Sequence, residues 1–93
     1  MKIGTQVLVR TYSAGVHVGT LGTRDGKEVT LNNARRIWSW KSANTLHEIA
    51  LRGVGEGSRV SEPVPWVLLT EAIEIISVSE EAWANIAASR WAK

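Results

Sequence analysis

Between residues 35 and 40 two arginines and two tryptophans stand close together, in the run Arg35-Arg36-Ile37-Trp38-Ser39-Trp40. A guanidinium is a planar fork of donors that grips phosphate oxygens two at a time. An indole is a flat apolar surface on which a nucleobase stacks for about 1–3 kcal/mol. On a strand, successive side chains alternate between faces, so Arg36, Trp38 and Trp40 are expected on one side and Arg35, Ile37 and Ser39 on the other. Cation beside indole is the chemistry of a nucleotide site, with phosphates on arginine and a base on the aromatic face. Neighbouring segments extend it through Arg10, Tyr12, His17 and Arg24. The turn Ser13-Ala14-Gly15 offers backbone N–H groups of the kind that form anion nests. The expected ligand-binding set is therefore Tyr12, Ser13, Gly15, His17, Arg24, Arg35, Arg36, Trp38 and Trp40. In it Arg24, Arg35 and Arg36 pair phosphates, and Tyr12, Trp38 or Trp40 stacks on a base. The competing reading places the two tryptophans in a core or an interface and leaves the arginines solvated.

Catalytic chemistry has less to work with. A chain without cysteine has no disulfide, thiol nucleophile or thiolate metal site. Two histidines, His17 and His47, leave almost nothing for zinc. His17 stands between two valines, where the alternative to a ligand donor is a partly buried ring bonded to a nearby carbonyl. His47 falls in a helical segment and reads as a surface residue. Glu71 and Glu74 mark the solvated face of a strand rather than a general acid–base pair. No nucleophile elbow, phosphate-cradling glycine loop or paired-histidine motif occurs. The expectation is a protein that is not an enzyme and uses no cofactor and no metal.

The elements that must position these residues follow from periodicity. Gln6–Tyr12 alternates, with Val7, Val9 and Thr11 on one face and Leu8, Arg10 and Tyr12 on the other. Val16–Leu21 resumes after the Ser-Ala-Gly turn, and Asp25-Gly26 is a hairpin signal leading to the return strand Lys27–Leu31. Asn32-Asn33 reads as a further turn before a fourth strand, Arg35–Lys41. Ser42-Ala43-Asn44 offers capping residues for a short helix, Thr45–Arg52, closed by Gly53. Residues 53–65, rich in glycine, serine and proline, read as a connecting loop or a lid. Trp66–Leu69 reads as a buried strand, Ala72–Ile76 as an alternating one, and Ser77 with Glu80 as a capping box. The closing helix is expected over about 80–91, with Trp83, Ile86, Ala87 and Trp91 as its apolar stripe.

Ninety-three residues make one domain. Eleven cations oppose nine anions, too mild an excess to argue for nucleic acid. Six of the eleven cations precede residue 37, opposed only by Asp25 and Glu28, so the anion-attracting end comes first. No run of 18 apolar residues occurs, and Met1-Lys2-Ile3-Gly4 does not begin a signal peptide, so the expected location is the cytoplasm. The expected fold is mainly β with α: a small, strongly bent antiparallel sheet or SH3-like or Sm-like partial barrel, with a short inserted helix and a C-terminal helix.

Two resemblances bear on this. Gly4–Arg10 through His17-Val18-Gly19-Thr20-Leu21, then Arg24-Asp25-Gly26 and Val29–Ala34, looks like the first motif of Sm-like proteins, and Val67–Ile75 is similar to their closing strand pair. That likeness implies a barrel. It does not carry over the uridine-rich RNA pocket, because Val29 stands where an Asn is expected and Thr70-Glu71 where a basic-Gly pair is expected. The runs Tyr12-Ser13-Ala14-Gly15-Val16-His17, Gly19-Thr20-Leu21, Ala34-Arg35-Arg36-Ile37-Trp38, Trp40 and Glu71–Ile76 resemble a family of small phage and prophage proteins. Small phage proteins without catalytic residues often act by binding, and one class sequesters the nucleotide second messengers of bacterial antiviral defence. The expectation from residues and resemblance together is a homo-oligomeric binding protein for a cyclic oligonucleotide or an ADP-ribose derivative, acting in the host cytoplasm. A nucleic-acid binder of Sm-like type and a protein-interaction module that inhibits a host enzyme are the alternatives.

Overall fold

Strand β1 (Gln6–Thr11) already contains the plan of the molecule: Val7 and Val9 point to one side, Leu8 to the other, and all three are fully buried. The sheet therefore has a core on each face. A computed structural model describes residues 1–41 and 43–89. After β1 come β2 (Val16–Asp25), β3 (Glu28–Ser39), α1 (Leu46–Arg52), β4 (Arg59–Val60), β5 (Val64–Leu69), β6 (Ala72–Ser77) and α2 (Glu80–Ala87).

All strand pairs are antiparallel, in the run β3-β2-β1-β6. The other side of β3 is shared by β5 along Val29–Ala34 and by β4 at Ile37 and Ser39. β5 and β6 thus lie at opposite ends of the strand order, although only Thr70 and Glu71 separate them. The three peptide links from Leu69 to Ala72 reach at most about 11 Å, so the sheet must curl until its ends nearly meet. The curl is stitched where the Ala72 N–H donates to the Lys27 carbonyl at 3.0 Å. This is the mainly β, strongly bent antiparallel sheet that the alternation predicts, with its short inserted helix and its C-terminal helix.

Inside the curl lie Val7, Val9, Leu21, Val29, Leu31, Ala34 and Leu69. On the outer face Leu8, Val16, Val18 and Ile37 pack beneath Ile49 of α1 and Ile86 of α2, with Val54 and Val60. The helices are tied to each other as well. The side-chain oxygen of Asn85 accepts from the Val54 N–H at 2.8 Å, and the Ser79 hydroxyl donates to the Leu51 carbonyl at 2.7 Å.

Several sequence expectations change in detail. The segment read as two strands around an Asn32-Asn33 turn is one continuous strand, β3. Asn33 takes φ +52° within it, a left-handed conformation that Asn tolerates better than most residues. Opposite this kink the β2 register shifts between Val18 and Thr20. Gly19 lies there, and a Cβ on it would come within 3.0 Å of the Asn32 carbonyl. A local turn signal has become the bend that helps curl the sheet. Thr45, not the preceding residues, caps α1, and Ser79, not Ser77, caps α2. The 53–65 stretch holds β4 and the start of β5. β5 is not a buried strand: Trp66 is 61 % and Leu68 50 % exposed, because α1 and α2 cover only the other half of the outer face. In α2, Ile86 is buried, Trp83 partly buried and Ala87 exposed. Trp91 and Ser42 lie outside the described residues.

Candidate functional site

The turn between β1 and β2 is held from several sides. Buried Thr11 donates its hydroxyl to the Gly15 carbonyl at 2.8 Å and accepts from the Ala14 N–H at 2.9 Å. Ser13 donates to the Glu71 carboxylate at 2.7 Å, and the Tyr12 N–H donates to the Glu71 carbonyl at 3.0 Å. His17 Nε2 lies 2.9 Å from the Ala14 carbonyl. A carbonyl can only accept, so Nε2 carries the proton. The turn is thus braced by hydrogen bonds from within and from Glu71.

Gly15 has φ +84°, and Arg36 from β3 lies directly over it. A Cβ at this position would sit 2.9 Å from Arg36 Nη2. Glycine is needed here both for the backbone conformation and for the close approach of the guanidinium. Arg36 is exposed, and among the described residues its guanidinium makes no hydrogen bond or ion pair. An exposed cation without a protein partner among the described residues therefore stands over the turn. Two residues further along β3, alternation brings Trp38 to the same side. It is 44 % exposed, and Arg59 of β4 lies over its ring, 5.1 Å from the centroid. A second guanidinium thus flanks the indole.

Burial lowers the pKa of His17, and the charge of Arg36 lowers it further, against an opposing pull from the Ala14 hydrogen bond. His17 is a buried neutral donor. Its folded pKa lies below the unfolded value of about 6.5, so the native state binds the proton less readily. The stability this contributes is fully present above about pH 6.5 and is lost as pH falls from there toward the folded pKa. Thermal unfolding followed from about pH 8 down to about pH 5 should show this loss, and His17→Gln, which retains a donor, should lack it. Equal slopes for the two proteins would refute the assignment.

The expected site set divides on this structure. Ser13, Gly15, His17, Arg36 and Trp38 lie at the same end of β2 and β3, with His17 opposite Arg36 and Arg36 over Gly15. Tyr12 is 78 % exposed and borders a different, shallow recess with Lys27, Glu71 and Ile73. Arg35 does not join them. Its Nε donates to the Ser61 carbonyl at 2.7 Å, Nη1 to Ile86 at 2.7 Å and Nη2 to Ser89 at 2.6 Å. The alternation of β3 turns Arg35 toward the helices, where its guanidinium donates to carbonyls at the C-terminal end of α2, the negative end of the helix dipole. Trp40 also parts from Arg36 and Trp38. Regular pairing ends at Ser39, and Trp40 lines a separate recess with Arg10, Val16, Leu46, His47 and Glu74. Arg24 lies opposite Val29, seven residues from Arg36 along β3, in a recess with Met1, Leu21 and Ile73.

Sequence reasoning missed Arg59. It lies in a two-residue strand, too short for any periodic signal, and only pairing with β3 brings it over Trp38. Among the described residues no group of three His, Asp or Glu side chains could hold a metal ion, and no helix is long and apolar enough to cross a membrane.

Residues 4–86 match a family described as a domain of unknown function, DUF6948, and the chain belongs to that family. No curated protein and no solved structure matches it.

Proposed function

We propose that this chain is a non-enzymatic binding protein for a small phosphate-bearing nucleotide. The observation that carries the reading is Arg36, whose exposed guanidinium lies over Gly15 on a braced turn and has no hydrogen bond or ion pair among the described residues. A phosphate there would gain charge-assisted, bidentate hydrogen bonds with little reorganisation. Trp38 supplies an adjacent aromatic surface, and Arg59 a second cation beside it. The ligand class is a cyclic oligonucleotide or an ADP-ribose derivative, in which phosphates and a base are joined at short range. The likeness to small phage proteins supports sequestration of such signals from bacterial antiviral defence, in the cytoplasm of an infected host and by a homo-oligomer. A ligand that binds only the native state must raise its stability, by about 2.7 kcal/mol at a hundredfold excess over Kd. Screening cyclic and ADP-ribosyl nucleotides by thermal unfolding should therefore reveal at least one that raises Tm by about 10 °C or more. No shift across the panel would overturn the reading. A shift with oligonucleotides alone, falling steeply with salt, would favour a nucleic-acid binder instead.

A further inference from the structure

Half of the sheet's outer face lies under the helices, and the other half is bare. On β5, Val64, Trp66 and Leu68 recur at every second residue and are 47, 61 and 50 % exposed, while Val67 and Leu69 pack into the inner core. Among the described residues β5 pairs only with β3, so its outer backbone edge has no strand beside it. Natural proteins blunt such edges with charges or very short strands, because a flat apolar edge templates another strand. Here residues 63–70, Pro-Val-Pro-Trp-Val-Leu-Leu-Thr, carry no charge at all. Pro65, which has no N–H, falls opposite Asn33, at the one position where the β3–β5 ladder is interrupted.

The segment is complementary to itself. Antiparallel pairing about a two-fold axis through Trp66 sets Trp66 against Trp66, and Val64 against Leu68 of the second copy, twice over. Continued to the strand's ends, the same register sets Pro63 against Leu69 and keeps charged side chains out of the paired segment. Aromatic and aliphatic cross-strand pairs of this kind are what stabilise a sheet. A two-fold contact of one surface with itself is also the commonest form of assembly. We infer that two copies of this chain join β5 to β5, extending two curled sheets into one. The inference is independent of what the Arg36 site binds.

The absence of cysteine makes the register directly testable. Opposed residues in an antiparallel pair have Cα atoms about 4.5–5.5 Å apart, within the range a disulfide spans. Val64→Cys and Leu68→Cys proteins, mixed and mildly oxidised, should give a covalent heterodimer. Each variant alone should give little, because residue 64 of one copy lies about 13 Å from residue 64 of the other along the strands. By light scattering the wild type should weigh twice 10.2 kDa at high micromolar concentration. Trp66→Lys should return it to a single chain with an unchanged circular dichroism spectrum. The inference fails if the wild type stays monomeric, if either cysteine variant crosslinks alone as readily as the mixture, or if the lysine variant remains dimeric. It fails equally if the strand pairs only with a different protein.

Discussion

Replacing Arg35 by methionine is expected to destabilise the fold by about 2–4 kcal/mol, although the substitution preserves an apolar stem of similar length. Three short hydrogen bonds from a charged donor end on the carbonyls of Ser61, Ile86 and Ser89. Bonds to charged groups contribute about 1.5–3 kcal/mol each when measured singly. The group is partly exposed, so water can re-solvate some of the freed carbonyls, and the sum of three is an overestimate. A loss of this size is a large share of the stability of a small domain and should lower Tm by about 10–20 °C. Lysine should rescue it only in part, because a point charge cannot reach three divergent acceptors. An unchanged Tm for Arg35→Met would mean that Arg35 is not holding α2 to the sheet and is available to a ligand after all.

The second large effect separates binding from folding. Arg36→Glu should reduce nucleotide affinity by a hundredfold or more, since it removes the cation and sets a like charge against phosphate, and each tenfold corresponds to about 1.4 kcal/mol. Thermal stability should hardly change, because the exposed guanidinium makes no hydrogen bond or ion pair in the described protein. The same substitution removes a positive charge that lowers the His17 pKa, so the imidazole should titrate at higher pH in the variant. Calorimetric titration with the nucleotide that raises Tm, alongside NMR titration of the His17 ring, measures both. Retained affinity in a folded variant would show that phosphate is held elsewhere.

These two arginines are adjacent in sequence and opposite in environment, one bonded beneath α2 and the other exposed, which marks the limit of what the sequence discloses. Alternation assigns them to opposite faces of a strand. It does not say which face is covered by a helix fifty residues later, and that alone decides which cation is structural. Local patterns were otherwise informative. Val7 and Val9 against Leu8, the hairpin at Asp25-Gly26 and the short helix ending at Gly53 all stand as their periodicity and turn chemistry imply. The failures are tertiary. Asn33 has the chemistry of a turn but was recruited as a bend inside β3, because pairing with β2 continues on both sides of it. Trp40 lies one residue beyond the last paired position, so the period of two that joins Arg36 to Trp38 no longer governs it. Trp66 and Leu68 have the composition of a buried strand, yet the helices that would bury them cover the opposite half of the sheet. Arg59 joins the site only through a long-range strand pair.

An amide and indole NMR titration of the uniformly labelled protein with the nucleotide selected by thermal shift tests the binding site most directly. The account predicts saturable shifts clustered at residues 13–17 and 36–38, together with the Trp38 indole N–H, and no comparable change near Trp40, near Arg24 or at residues 86–89, where the Arg35 guanidinium is bound. Shifts centred on any of those other places, or spectra unchanged by every phosphate-bearing nucleotide tried, would contradict it.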